Sequence, residues 1–197
     1  AQDAVIGKTN ISLKGQREHV RTQETNLGNM VSDMLREYTG ADVALNNGGG
    51  IRDSAEMGEI TLEDAMSIMA FDNTVVTLEM TGMQIWKALE HGLHAYPEVA
   101  GGFLQVSGLR FYFNPDNEAY DRVERVIIGG ENIDLSETYV VATNEFLAAG
   151  GDEFTMMDEA EQLESFEDTD QQMFIKYIQE NSPLFPKVEG RIVVLRD

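Results

Sequence analysis

The chain has 197 residues, 42 % of them hydrophobic and 25 % charged, which suits one soluble globular domain with a sizeable core. Fourteen basic residues against 35 acidic ones give a net charge of -21, which repels polyanions and excludes nucleic acid and anionic membranes as partners. No apolar run approaches the ~18 residues of a membrane span, and the absence of cysteine excludes disulfides, thiolate metal sites and cysteine nucleophiles.

In chain order, Thr25-Asn26 caps a helix whose apolar face carries Leu27, Met30, Val31, Met34 and Leu35 and which Gly40 closes. "ADVALNN" reads as a buried strand running into "GGG". Thr61, with Asp64 three residues on, starts a short helix, and "TVVTLEM" is the next strand. Thr81 and Gln84 form a capping box before a helix with Ile85, Leu89 and Leu93 inward. "GGFLQVSGLRFYF" holds two short strands; "RVERVIIGG" and "TYVVATNEF" are two more, with a Gly-Gly turn between them. The acidic stretch 156–169 reads as a solvated loop. A helix over 170–180 turns Met173, Phe174, Tyr177 and Ile178 inward, and "RIVVL" is a last strand. Helices and strands mix without strict alternation, which predicts a mixed α/β or α+β fold of layered helices and mixed sheets, in one domain over 1–197.

Several stretches can carry chemistry. "NNGGGIRD" puts three glycines after a strand, so the backbone can approach a ligand and its N–H groups can form an anion-holding nest. Arg52 follows as a bidentate donor to phosphate or carboxylate, and Asn47 offers an amide at the strand end. The alternative is a plain glycine turn with a surface arginine. Arg17 and Arg21 in "GQREHVRTQ" are either further anion donors or scattered surface charges. The long-range repulsion of an anionic ligand by the acidic surface is screened beyond roughly 8 Å, so a few arginines can win locally.

Phe71 and Phe146 each sit at a strand–loop junction, where two rings can sandwich a base or simply fill the core. Asp152, behind two glycines, can accept from both hydroxyls of a ribose or serve as a turn residue. "EHGLH" brings His91 and His94 to nearly one helix face, but no third ligand accompanies them, so they read as exposed helix histidines. No Gly-x-Ser-x-Gly elbow and no internal nucleophile appear. No residue is singled out as catalytic or as a metal ligand, so the chain reads as a recognition surface. "GGDEF", residues 150–154, matches the diguanylate cyclase signature. A cyclase, however, needs that pentapeptide on a mid-domain hairpin and a metal-binding aspartate upstream at a strand end.

Four stretches, in order, resemble one family: "ETNLGNMVSDMLREYTGADVALNNGGGIRDS", "GEITLEDAMSIMAFDNTVVTLEMTGMQIWKALE", "GGFLQVSGLRF" and "YVVATNEFLAAGGDEF". They are similar to the C-terminal domain of the 5'-nucleotidases and UDP-sugar hydrolases. The resemblance implies a substrate-recognition domain whose metallophosphatase partner domain, N-terminal in the same polypeptide, holds two divalent metal ions. By that resemblance, Arg21 and Arg52 bind phosphate, with Arg17 a further arginine of some bacterial members. Asn47 lies near ribose and phosphate, Phe71 and Phe146 clamp the base, Asn73 and the backbone at Gly101 touch its edge, and Asp152 holds the ribose hydroxyls. It also implies a periplasmic, extracellular or cell-surface location, nucleotide ligands, no cofactor in this chain and no catalysis by it alone; a monomer is the default. The alternative is a stand-alone, non-catalytic nucleoside-binding module. The family reads Gly-Gly-Asp-Gly where this chain has Glu153, so a required positive φ would strain Glu153.

Overall fold

The structure is a computed structural model and describes residues 1 and 3–196. Among the described residues, twenty short elements form three sheets and their covering helices. The strands are β1 (Val5–Thr9), β2 (Val43–Asn47), β3 (Gly58–Thr61), β4 (Thr74–Thr81), β5 (Leu104–Ser107), β6 (Leu109–Phe113), β7 (Val123–Ile128), β8 (Glu131–Asn132), β9 (Thr138–Asn144), β10 (Glu161–Thr169) and β11 (Ile192–Val194). The α-helices are α1 (Arg17–Val20), α2 (Asn26–Thr39), α3 (Leu62–Ile68), α4 (Gly82–Gly92), α5 (Glu145–Ala148), α6 (Thr155–Asp158) and α7 (Asp170–Asn181), with single 3-10 turns at Gly48–Gly50 and Gly151–Glu153.

The central sheet runs β10-β4-β9-β2-β5 and is mixed: β2 and β9 are parallel, and every other pairing is antiparallel. Both faces of its inner strands and of β5 are largely buried. Ala44, Val75 and Ala142 pack with α2, α3 and α7 in one core; Val43, Leu45, Val76 and Val141 pack with α4, β6 and β7 in the other. That double burial explains why β2 reads as an unbroken run rather than an alternation. The second sheet, β11-β6-β7-β8, backs the second core, and β1 and β3 form a separate ribbon.

Local chemistry sets the helix starts as the sequence implies. The Thr25 hydroxyl accepts from Gly28 N–H, and Gly40 ends α2 at φ 72°. Full capping boxes open α3 (Thr61 and Asp64), α4 (Thr81 and Gln84) and, beyond those anticipated, α7 (Thr169 and Gln172).

Two expectations change, and three elements were not anticipated. The acidic stretch 156–169 is not a loop: α6 occupies its start, and β10 is an edge strand paired with β4. Its side chains are mostly exposed, so its composition is that of a solvated segment, and its carboxylates guard a sheet edge against further pairing. The Gly-Gly turn joins β7 to the two-residue β8, while β9 leaves for the central sheet. The elements β1, α1 and β3 carry too little periodicity to be read from sequence.

A buried carboxylate ties the C-terminal segment down. Glu24 accepts from Asn29 Nδ2 at 2.7 Å and from the backbone N–H groups of Glu189 (2.8 Å), Arg191 (2.8 Å) and Ile192 (3.3 Å). Glu24→Ala would orphan these donors in a buried setting, and the expected loss is about 3 kcal/mol of unfolding free energy. Urea titration of both proteins checks it.

Candidate functional site

The strand directions bring the candidate segments to one end of the central sheet. The parallel strands β2 and β9 finish at Asn47 and Asn144. Opposite those two residues, β5 begins at Leu104 and β4 near Val75, and Thr169 at the end of β10 faces Thr74. Segments 48–52, 71–73, 101–103, 145–152 and 169–170 therefore emerge together, outside the carboxyl ends of the parallel pair. This is where open α/β sheets place their ligand crevices. Asn144 links the two loops: its Nδ2 donates to Asn46 Oδ1 (3.1 Å) and Asn47 Oδ1 (2.8 Å), and its Oδ1 caps α5 by accepting from Leu147 N–H (3.0 Å). Sequence reasoning passed over Asn144, although an Asn directly before a helix is a capping signal.

The glycine turn 48–50 works differently from an anion nest. Gly48 N–H donates to Phe103 O (2.6 Å), Gly49 N–H to Gly101 O (2.9 Å) and Ile51 N–H to Gly48 O (3.1 Å). The glycines instead permit close approach: a Cβ on Gly48 would stand 2.1 Å from the Val20 carbonyl oxygen, and one on Gly49 3.0 Å from Gly101 Cα. This packing brings the α1 segment, with Arg17 and Arg21, against the turn that leads to Arg52. Gln105 holds it from beneath, donating to Val20 O (3.0 Å) and Gln23 O (2.8 Å) and accepting from Thr25 N–H (3.3 Å).

The three arginines and Asp152 form one electrostatic cluster. Partial burial lowers the pKa of Arg21 from its ordinary value, repulsion from Arg17 and Arg52 lowers it further, and Asp152 opposes both. A Cβ on Gly101 would lie 3.4 Å from Arg21 Nη1 and 3.6 Å from Asp152 Oδ2, so the backbone at Gly101 sits beside both groups. The exposed Arg52 donates to Gly49 O (3.2 Å), and its guanidinium carbon lies 5.0 Å from the centroid of Phe71.

Neither candidate aromatic is core. Phe71 is 57 % and Phe146 45 % exposed. Phe71 joins the cluster through Arg52. Phe146 joins it through Gly151, where a Cβ would stand 2.6 Å from Phe146 Cε1. Phe71 thus lies against Arg52, and Phe146, on α5, lies beside the turn that carries Asp152.

The loop carrying Asp152 is conformationally unusual. Gly150, Asp152 and Glu153 have φ of 87°, 54° and 66°. Glu153 therefore adopts the left-handed region where the resembled family has glycine. The pentapeptide spans a 3-10 turn between α5 and α6 rather than a hairpin, which removes the cyclase reading.

The Phe71 loop rests on α7. Asn73 N–H donates to Asp170 Oδ1 (2.9 Å), Asp170 N–H donates to Asn73 O (2.8 Å), and the Thr169 hydroxyl bonds Asp72. Asp170 is buried, and that burial, with the nearby Asp72 charge, pushes its carboxyl up to about 7 against the pull of the Asn73 and Gln171 N–H groups.

The histidines need one correction. His91 is only 6 % exposed, with both ring nitrogens hydrogen-bonded, because the loop around Tyr120 and the Asp152 turn cover the end of α4; His94 is exposed. Among the described residues no group of three or more His, Asp or Glu is arranged to hold a metal ion. A cleft of about 570 Å³ lined by Arg36, Ser107, Arg110 and Arg191 lies at the other end of β5 and includes no candidate residue.

Comparison with known proteins shows the family of the chain. Residues 5–159 match the family model described as 5'-nucleotidase, C-terminal domain. The chain is 41 % identical over 197 residues to the trifunctional nucleotide phosphoesterase protein YfkN of Bacillus subtilis, covering 95 % of this chain and 14 % of that protein. It is 35 % identical to protein UshA of Escherichia coli, covering 91 % of this chain and 32 % of UshA. The crystal structure of a 5'-nucleotidase precursor from Thermus thermophilus superposes with a TM-score of 0.93 at 37 % identity, over 98 % of this chain and 40 % of that one. The chain belongs to the 5'-nucleotidase C-terminal domain family and spans well under half the length of these relatives.

Two expectations follow from the loops. Glu153→Gly removes a side chain from a left-handed backbone and should raise stability by about 1 kcal/mol, read as an upward shift of the thermal midpoint. Asp170 binds its proton more tightly folded than unfolded, so between about pH 4 and pH 7 stability falls as pH rises and levels off above pH 7. Asp170→Asn keeps the acceptor for Asn73 N–H, and the variant should lose this slope. Urea midpoints at pH 5 and pH 8 for both proteins test the difference.

Proposed function

We propose that this chain is the nucleotide-recognising part of a metal-dependent 5'-nucleotidase. The observation that supports it is the gathering of Arg17, Arg21, Arg52, Asp152 and two exposed phenylalanines at one end of the sheet of an otherwise strongly acidic protein. In this reading Phe71 and Phe146 stack on the two faces of the base, while Asn73 and the Gly101 backbone meet its edge. The Asp152 carboxylate accepts from both ribose hydroxyls. Arg21 and Arg52, with Arg17, draw the phosphate, whose negative charge relieves their mutual repulsion. Asn47 lies near ribose and phosphate.

Hydrolysis itself belongs to a metallophosphatase domain of the same polypeptide, whose two divalent ions would activate water and polarise the ester. The contribution of this chain is orientation: it holds the nucleoside so that the phosphate reaches the other domain in one geometry. An open, solvent-facing site suits a surface that is completed when another domain closes over it. The relatives' names, nucleotide phosphoesterase and 5'-nucleotidase, fit this chemistry. A periplasmic, extracellular or cell-surface location and a monomeric state belong to the same proposal.

Calorimetry with adenosine and AMP tests it. Weak binding of both is expected, with no AMP turnover by the chain alone in added divalent metal. Phe146→Ala should weaken adenosine about tenfold or more, since one lost stacking face is worth ~1–3 kcal/mol. Asp152→Ala should weaken adenosine more than 2',3'-dideoxyadenosine. An unchanged affinity after Phe146→Ala removes the base clamp, and turnover of AMP removes the division of labour.

A further inference from the structure

The turn that aims Asp152 is held in a costly backbone shape, and one side chain reaches across to hold it. His91, at the end of α4, lies with Nε2 2.7 Å from the carbonyl oxygen of Asp152. A carbonyl only accepts, so Nε2 carries the proton. In the neutral ring Nδ1 is then an acceptor, and the Tyr120 hydroxyl, 2.9 Å away, donates to it. The ring is fixed on its faces and edge as well. His94 stacks on it at 4.8 Å between centroids, and the buried Phe154 meets it edge-on at 4.7 Å. The loop bearing Tyr120 is itself moored to α4, because the buried Glu90 carboxylate accepts from Arg122 N–H (2.9 Å) and Val123 N–H (3.1 Å).

These contacts form a chain of restraints. Glu90 anchors the loop, Tyr120 selects the tautomer of His91, and the Nε2–H of His91 fixes the carbonyl of Asp152 while that residue sits at φ 54°. With φ and the carbonyl direction set, the carboxylate is aimed toward Gly101 and Arg21. Free of that bond, the turn could relax toward commoner backbone shapes, and the carboxylate would swing away.

We propose that His91 is a positioning residue for ribose recognition: by donating Nε2–H to the Asp152 carbonyl, it makes the site discriminate nucleosides that carry both ribose hydroxyls from those that lack them. The inference rests on the reading of Asp152 given above and goes beyond it, since His91 touches no substrate.

The test compares adenosine with 2',3'-dideoxyadenosine by calorimetry on four proteins: wild type, Asp152→Ala, His91→Phe and His91→Gln. Gln presents an amide N–H at the same number of bonds from the backbone as His Nε2, whereas Phe fills the space without a donor. The affinity ratio of adenosine to the dideoxy compound should fall about tenfold in His91→Phe, the scale of one mis-aimed charged hydrogen bond, and should recover in His91→Gln. If Asp152→Ala lowers the ratio and His91→Phe does not, the positioning role is overturned and the carboxylate's role survives. If Asp152→Ala leaves the ratio unchanged, the diol reading itself fails. A readout that needs no ligand accompanies these. The His91 ring nitrogen shifts of the wild type should show the Nε2–H tautomer, and the amide shifts of residues 150–153 should move in His91→Phe but not in His91→Gln. An Nδ1–H ring in the wild type, or amide shifts indifferent to both variants, overturns the proposal even where His91→Phe folds poorly.

Discussion

One short set of hydrogen bonds decides where the loops of this domain can go. β2 and β9 are the parallel pair of the central sheet, and both end in asparagine. The Asn144 amide bridges to Asn46 and Asn47 and at the same time caps the helix that follows. All three side chains are buried, so leaving their polar groups unpaired would be costly. Because the two strands run the same way, their outgoing loops leave from the same edge. Because the side chains are locked to one another, those loops leave in a fixed relation. Asn47, Arg52, Phe146 and Asp152 lie at the end of or after this pair, and Phe71, Asn73 and Gly101 precede a strand beside it; Arg17 and Arg21 arrive separately, on the α1 segment packed against Gly48.

The electrostatics of the chain add a second constraint. A net charge of -21 would disperse an anionic ligand, yet three arginines share one small region with one nearby carboxylate. Their mutual repulsion is a standing cost that the fold sustains through buried Gln105, which grips the α1 segment, and through the glycine turn that lets this segment approach. Concentrating like charge where it destabilises the empty protein is the usual mark of a site meant to be occupied by the opposite charge.

The Asp152 turn shows the same principle in backbone form. Three residues in the left-handed region within four positions would not persist in isolation. Here Phe154 is fully buried beneath the turn, Phe146 packs against Gly151, and His91 bonds the Asp152 carbonyl. These contacts hold an exposed carboxylate on a rigid turn. The Phe71 loop, braced by Asp170 and Thr169, is its counterpart across the site.

Much of this was legible in the sequence because it is written locally. Capping residues at Thr25, Thr61 and Thr81 announce their helices through bonds spanning three residues, and the apolar run of β2 announces a strand buried on both faces. The left-handed backbone at Glu153 was foreseeable from the glycine that the family has there. Chain spacing could not reveal what depends on strand direction and sheet order. The acidic edge strand β10 looked like a loop because its side chains face solvent, and its identity lies in hydrogen bonds to β4 that begin some eighty residues earlier in the chain. The glycines of 48–50 looked like an anion cradle, but the N–H groups of Gly48 and Gly49 are taken by Phe103 and Gly101. His91 looked solvent-exposed, and only the packing of two distant loops over the end of α4 buries it. Residue type and short-range hydrogen bonding set the elements and the inventory of candidate binding groups; the tertiary fold decided which of them meet, because convergence depends on long-range pairing that no local pattern encodes.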